Sequence, residues 1–181
     1  MYRNNLLSSC QCGQVKLELI GSPILAAACY CNSCKLAGEH FERHPEAPPV
    51  LDADGSSDYV LYRKDRVVFS RGREQLSEYK LSPLAPTRRV LATCCHTPMF
   101  LEFNKGHWLS LYKNRLLPDQ RPALQMRVML ADRPDELKFN DNIPSYARHS
   151  GKFLWKLLWA WVAMGFRAPK IDLTPPGSKT S

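Results

Sequence analysis

Long apolar runs are missing from this sequence. Its most hydrophobic uncharged stretch, 157–166, is about half the roughly 20 residues a helix needs to cross a bilayer. No unaided membrane span is expected. The opening residues are polar, carry one arginine and lack the apolar core of a secretory signal, so a reducing, cytoplasmic setting is the expectation. There is no phosphate-binding glycine loop, no dinucleotide fingerprint and no Ser-His-Asp order. No segment repeats. The familiar nucleotide-dependent and triad-hydrolase chemistries are left without their motifs.

Cysteine is also absent from most of the chain, and where it occurs it is crowded. All seven cysteines fall in three groups: Cys10 and Cys12, then Cys29, Cys31 and Cys34, then Cys94 and Cys95. In a reducing compartment such clusters are metal ligands or redox thiols before they are structural bridges. Thiolates are soft donors that zinc gathers in threes or fours, and C-x-C or C-x-x-C lets one bend of backbone present two sulfurs to one ion. Metal binding is the leading expectation. Redox-active thiols and inert buried thiols are the alternatives.

Seven sulfurs divide as four plus three. Cys29, Cys31 and Cys34 form a self-contained unit able to wrap one ion and leave a coordination position open. Cys10, Cys12, Cys94 and Cys95, separated by about 80 residues, would close a structural site that staples the start of the chain to its middle. Gly13, directly after Cys12, suits the left-handed backbone such turns require. Zinc on three thiolates carries a formal charge of minus one. It is a weaker generator of hydroxide than zinc on three histidines, and better suited to holding another soft sulfur. Two zinc ions per chain are expected, with a small thiol-derived substrate at the open one.

The net charge of +8 is unevenly placed. From residue 148 onward, six basic side chains (Arg148, Lys152, Lys156, Arg167, Lys170, Lys179) face Asp172 alone, so +5 resides there and only about +3 remains for the rest. The main domain is nearly balanced, and nucleic acid is not an expected partner. Residues 1–143 read as a β domain: alternation or apolar runs predict strands at 15–19, 24–28, 58–62, 66–69, 76–81, 108–112 and 125–130. Gly72 is read as a hairpin-like turn between two of them. Residues 144–168 predict a helix rich in tryptophan, and 169–181 a disordered tail. Through 152–166 that helix is expected to dock on its own domain, on a second copy, or on a membrane surface, with Lys152 and Lys156 flanked by Trp155 and Trp159.

The order C-x-C-G, C-x-C-x-x-C and a cysteine-rich turn before Thr97-Pro98 resembles the superfamily of glutathione-dependent formaldehyde-activating enzymes and centromere protein V. So does the stretch 67–72 followed by Leu76 and Tyr79. The resemblance covers about residues 9–112. It implies a mainly β, Mss4-like fold of coiled antiparallel sheets, here with a C-terminal α-helix. It also implies a structural zinc on the outer pairs, a catalytic zinc on the triplet, and carbon–sulfur lyase ancestry. A non-enzymatic zinc module is the rival.

The chain departs from the family pattern in its late turn. Where the family has two cysteines separated by two residues and followed by Gly, this chain has Cys94-Cys95-His96. The fourth structural ligand is therefore Cys94 or His96, with a vicinal disulfide as a further alternative. Tyr30 and Lys35 stand where the family often has His and Arg. They are candidates for a hydrogen bond to substrate and for attracting an anion, or else simply packed and solvated residues. Glu39, His40, Glu42 and His44 are expected in a solvated loop, with a base, an outer partner or a fourth ligand such as His40 as the functional reading. Arg88 and Arg89 either meet a carboxylate or face water.

Overall fold

The computed structural model describes residues 5–133 and 138–173. Ten strands carry the fold: β1 (Leu6–Ser9), β2 (Lys16–Leu19), β3 (Leu25–Cys29), β4 (Ser57–Arg63), β5 (Val67–Arg71), β6 (Leu76–Tyr79), β7 (Thr87–Ala92), β8 (Thr97–Phe103), β9 (Trp108–Tyr112) and β10 (Met126–Val128). Two helices join them, α1 (Asn32–Glu42) and α2 (Gly151–Val162). A small sheet runs β1-β2-β5 and a large one β10-β3-β4-β9-β8-β7-β6; the pairings are antiparallel except β10 against β3. The mainly β architecture with a C-terminal helix is as expected and is consistent with an Mss4-like fold.

The large sheet is buried on both faces. Alternation along its strands sends Val60, Tyr62, Phe100, Leu109 and Leu111 into a core shared with Leu17 and Leu19 of the small sheet. Their neighbours Tyr59, Leu61, Leu101 and Tyr112 point the other way, onto Ala37 and Phe41 of α1 and Phe153 and Leu157 of α2. The result is three layers: small sheet, large sheet, helices. Such double coverage turns β4 into a nearly continuous apolar run.

Several expectations change. Gly72 does not make a hairpin. Its φ of 71° turns the chain from β5 in the small sheet to β6 in the large one, and a Cβ there would lie 2.4 Å from the carbonyl oxygen of Gln14. Glu39, His40 and Glu42, expected in a solvated loop, lie in α1, whose apolar face of Cys34, Ala37, Gly38 and Phe41 is buried. The helix expected over 144–168 is shorter. Its start is fixed by Ser150, whose hydroxyl accepts from the Phe153 amide at 3.1 Å. The stretch before it runs beside β10, with the Tyr146 amide donating to the Arg127 carbonyl.

Residues 169–173, placed in the expected tail, lie against the domain. Ile171 and Leu173 pack on its core, and Arg88 donates to the Ile171 carbonyl at 2.6 Å. Residues 174–181 of that tail lie outside the described residues.

Candidate metal centre

The outer cysteine pairs sit in two hairpin turns that face each other. Cys10 and Cys12 occupy the β1–β2 turn, where the Val15 amide donates to Cys10 Sγ at 3.2 Å and Gly13 adopts φ 75°. Cys94 and Cys95 occupy the β7–β8 turn, where the Thr97 hydroxyl lies 3.1 Å from Cys95 Sγ and also accepts from the Gln11 amide. The sulfurs converge: Cys10–Cys12 3.5 Å, Cys12–Cys94 3.3 Å, Cys10–Cys94 3.8 Å and Cys94–Cys95 3.8 Å. A tetrahedron of thiolates around zinc has edges of about 3.8 Å. The donor set therefore fits such an ion, and an ion there would join the small sheet to the large one.

All seven cysteines are free thiols, so the vicinal bridge is not formed. Cys94, not His96, stands with the other three sulfurs; His96 groups instead with His44 and Glu46, its ring stacked 3.5 Å from that of His44. His96 takes φ 51°, the left-handed conformation natural to the glycine it replaces in the resemblance.

The triplet is built by a strand end and a helix start. Cys29 closes β3, Cys31 is the N-cap of α1 and Cys34 lies in its first turn, with the Cys34 amide donating to the Cys31 carbonyl at 3.0 Å. The three sulfurs lie within 4.8 Å of one another, with Cys29 and Cys34 3.8 Å apart. Unpaired amides at a helix start favour negative charge, so this is a good place to hold thiolates.

Crowding splits the three thiols. Hydrogen bonds from Cys29, Cys34 and Ser33 hold Cys31 down at about 2. Cys29 is pushed up by yielding its proton to Cys31 and by burial. At Cys34 the contact with Cys29 favours the thiolate, but the Cys31 charge and burial prevail and raise it to about 11. Only a cation would allow all three to ionise together. Among the described residues no fourth Cys, His, Asp or Glu joins them.

The rival ligand is elsewhere: His40 stacks on Tyr79 at 4.6 Å. Glu42 accepts from the amides of Val50 and Leu51, and Lys35 pairs across the helix with Glu39 at 4.0 Å. Tyr30 is packed, donating to Asp54 Oδ2 at 2.5 Å; burial and that carboxylate raise it to about 12. It plays no part in the sulfur cluster.

Three site residues were not legible in the sequence. Arg89, fully buried, donates from Nη2 to the Ser33 carbonyl between Cys31 and Cys34 at 2.8 Å, while its Nε and Nη1 have no hydrogen-bond partner among the described residues. Its neighbour Arg88 differs, meeting Glu102 and Glu78. His149 and Asp132 line a cavity of about 500 Å³ that also takes in all three triplet cysteines. Burial lowers His149, opposed by the Cys31 charge, and Asp132 Oδ2 accepts from the Asn32 amide at 3.1 Å. No spacing rule marks His149; only the fold brings it from the start of α2 to the end of β3.

Residues 5–42 match the family model described as "Glutathione-dependent formaldehyde-activating enzyme", a segment holding Cys10, Cys12 and the triplet but not Cys94 or Cys95. No curated protein matches the chain. A crystal structure of a Rhodobacter sphaeroides protein, a structural-genomics target, superposes with a TM-score of 0.45 at 15% identity, covering 65% of this chain and 96% of that one. The cysteine groups are able to bind metal, and over residues 5–42 the chain is similar to the glutathione-dependent formaldehyde-activating enzyme family.

Proposed function

We propose that this is a zinc-dependent carbon–sulfur lyase that makes or breaks small thiol adducts, with Cys29, Cys31 and Cys34 holding the catalytic ion. Cys10, Cys12, Cys94 and Cys95 hold a structural one. The observation that carries this reading is a three-sulfur cluster that no fourth donor joins among the described residues, set in a cavity also lined by His149. Zinc on three thiolates supplies an open position for a soft sulfur.

The protein's own residues then do three things. The largely apolar wall favours an uncharged ligand body, Asp132 ties the start of α1, and His149 carries a proton. In the cleavage direction His149 takes the hydroxyl proton of an S-hydroxyalkyl adduct. The C–O bond becomes C=O, the C–S pair leaves on sulfur, and the proton follows it there. One adduct gives one aldehyde and one thiol, with no change of oxidation state.

The test is nuclear magnetic resonance exchange between formaldehyde, a thiol and their adduct, with zinc counted by native mass spectrometry. Two ions per chain and faster exchange, lost with one ion in Cys31→Ser, are expected. A two-zinc protein no faster than buffer would leave a non-enzymatic zinc module.

A second reading concerns α2. It docks through Phe153, Leu157 and Ala160 yet leaves Leu154, Trp155, Leu158 and Trp159 between 44% and 57% exposed. From Arg148 to Lys170 there is no acidic residue. That face suits an anionic lipid surface, where tryptophan sits at the interface and cations meet headgroups. No helix among the described residues is long and apolar enough to cross a membrane.

A further inference from the structure

We infer that the cavity beside Cys29, Cys31 and Cys34 is a binding site for an uncharged, apolar thiol or thiol adduct with an aromatic or branched alkyl body, not for a charged peptide thiol. This rests on the reading of the triplet as a thiol-binding metal site and names the substrate class for it. The cavity, about 500 Å³, has room for a molecule of ordinary ligand size.

Its wall is chemically one-sided. Phe103 and Trp108, tilted rings 5.5 Å apart, form one side, and Phe153, Leu154 and Leu157 of α2 form another. Among the described residues no lysine or arginine lines it. Asp132, the one carboxylate among the described lining residues, accepts from the Asn32 amide at the start of α1 and would repel an incoming anion. A peptide thiol such as glutathione brings two carboxylates, and burying them unpaired carries a large desolvation cost.

Nearby cations are committed elsewhere. Lys35 is exposed on α1 beside Glu39, and Arg133 lies over the Tyr30 ring at 4.5 Å. Arg89 sits behind the turn on Ser33 and is not among the lining side chains. A second hollow does hold Lys80, Lys105 and Lys170, but it shares only Ala85, Pro86 and Thr87 with this one and contains no cysteine.

The apolar wall also has a distinct origin. Its α2 side chains lie far outside the matched segment 5–42, so the chain's C-terminal part forms one side of the space over the sulfurs.

Calorimetric titration of the zinc-loaded full chain with benzyl mercaptan, benzyl alcohol and glutathione tests this. Benzyl mercaptan is expected to bind at least tenfold tighter than glutathione, with benzyl alcohol weaker than the mercaptan and competing with it. Leu154→Lys changes a half-exposed wall residue that the fold tolerates; it should narrow or reverse the preference over glutathione. Glutathione binding as tightly as benzyl mercaptan, or no binding of either benzyl compound, overturns the inference. Benzyl alcohol matching the mercaptan supports the apolar site while removing the sulfur–metal reading, so the two failures are told apart.

Discussion

Arg89 donates to the backbone carbonyl of Ser33 from a side chain with no exposure at all, and no carboxylate meets it among the described residues. A buried guanidinium needs a negative partner nearby. The turn it touches carries Cys31 on one side and Cys34 on the other, and zinc with three thiolates would carry one surplus negative charge. Arg89 is thus a positioning residue for the triplet and its counter-charge.

Arg89→Met keeps the bulk and removes the charge. Zinc affinity at the triplet should fall about tenfold to a hundredfold, as for other outer partners of metal ligands. Affinity at the four-sulfur site should stay unchanged. Chelator competition resolves the two sites, and equal loss at both would indicate a merely structural role.

The late turn separates two candidate ligands cleanly. Cys94 lies 3.3 Å from Cys12, whereas His96 faces His44. Cys94→Ala should cost one zinc per chain and destabilise the junction between the sheets by several kcal/mol, because metal binding there is folding free energy. His96→Gly should keep both ions. It relieves a left-handed residue, worth about 1–2 kcal/mol, against a glycine entropy cost of about 0.5–1 kcal/mol. Chemical denaturation should find it between neutral and about 1.5 kcal/mol more stable.

The difference between these two positions shows what the sequence could and could not disclose. The sulfur groups were legible because metal ligands must be close in chain or meet across turns, and cysteines are too few to blur the pattern. Most strands were legible from period-two alternation, β9 to the residue. The region 87–103 was not read as strands, because β7 and β8 are buried on both faces and their alternation is lost. Helix α1 was hidden because its buried stripe includes Cys34 and Gly38, residues that a hydrophobic pattern does not count. Gly38 is there for contact: a Cβ would come 2.5 Å from Leu51. Arg89 and His149 depend wholly on tertiary approach.

Helix α2 is fastened partly by a titratable group. His107 Nε2 lies 2.9 Å from the Leu157 carbonyl, and its ring stacks on Trp161. Burial lowers its pKa below the usual 6.5, with Lys64 and Arg63 acting the same way against the Leu157 contact. The folded state therefore binds the proton less well than the unfolded one. Stability from this group is fully present above pH 6.5 and is lost as pH falls from there through the lower folded value. Hydrogen exchange at α2 should quicken over that range more than exchange in β4 or β9. His107→Gln should flatten the difference.

Glu102 of β8, itself buried, binds two cations. Lys64, 2% exposed, meets one oxygen, and Arg88 meets the other at 2.6 Å. Removing one member of a buried pair leaves the other charge stranded. Glu102→Ala should cost about 3–5 kcal/mol in denaturant unfolding. Lys64→Met in the same background should recover part of that loss by removing the stranded ammonium. Independent, additive losses would mean that the contact contributes little.

The outer face of α2 yields the last prediction. Trp155 and Trp159 meet edge to face at 5.7 Å, both more than half exposed, and the following turn adds Phe166 at 61%. Lys156 is turned back onto Gln125 at 2.7 Å and Arg167 onto the Met164 carbonyl at 3.0 Å, so the exposed Arg148, Lys152 and Lys170 are the cations best placed to meet headgroups. Each basic residue near an anionic surface is worth about 1 kcal/mol, and each interfacial tryptophan about 1.5–3 kcal/mol by buried area. The full chain should float with phosphatidylserine-containing vesicles at low salt, release as salt rises, and ignore neutral vesicles. Trp155→Ser with Trp159→Ser should reduce flotation at least tenfold while leaving zinc content unchanged. Self-association on sedimentation, with no flotation on either vesicle, would instead assign the face to a second copy of the chain, because salt weakens a lipid contact but strengthens an apolar one.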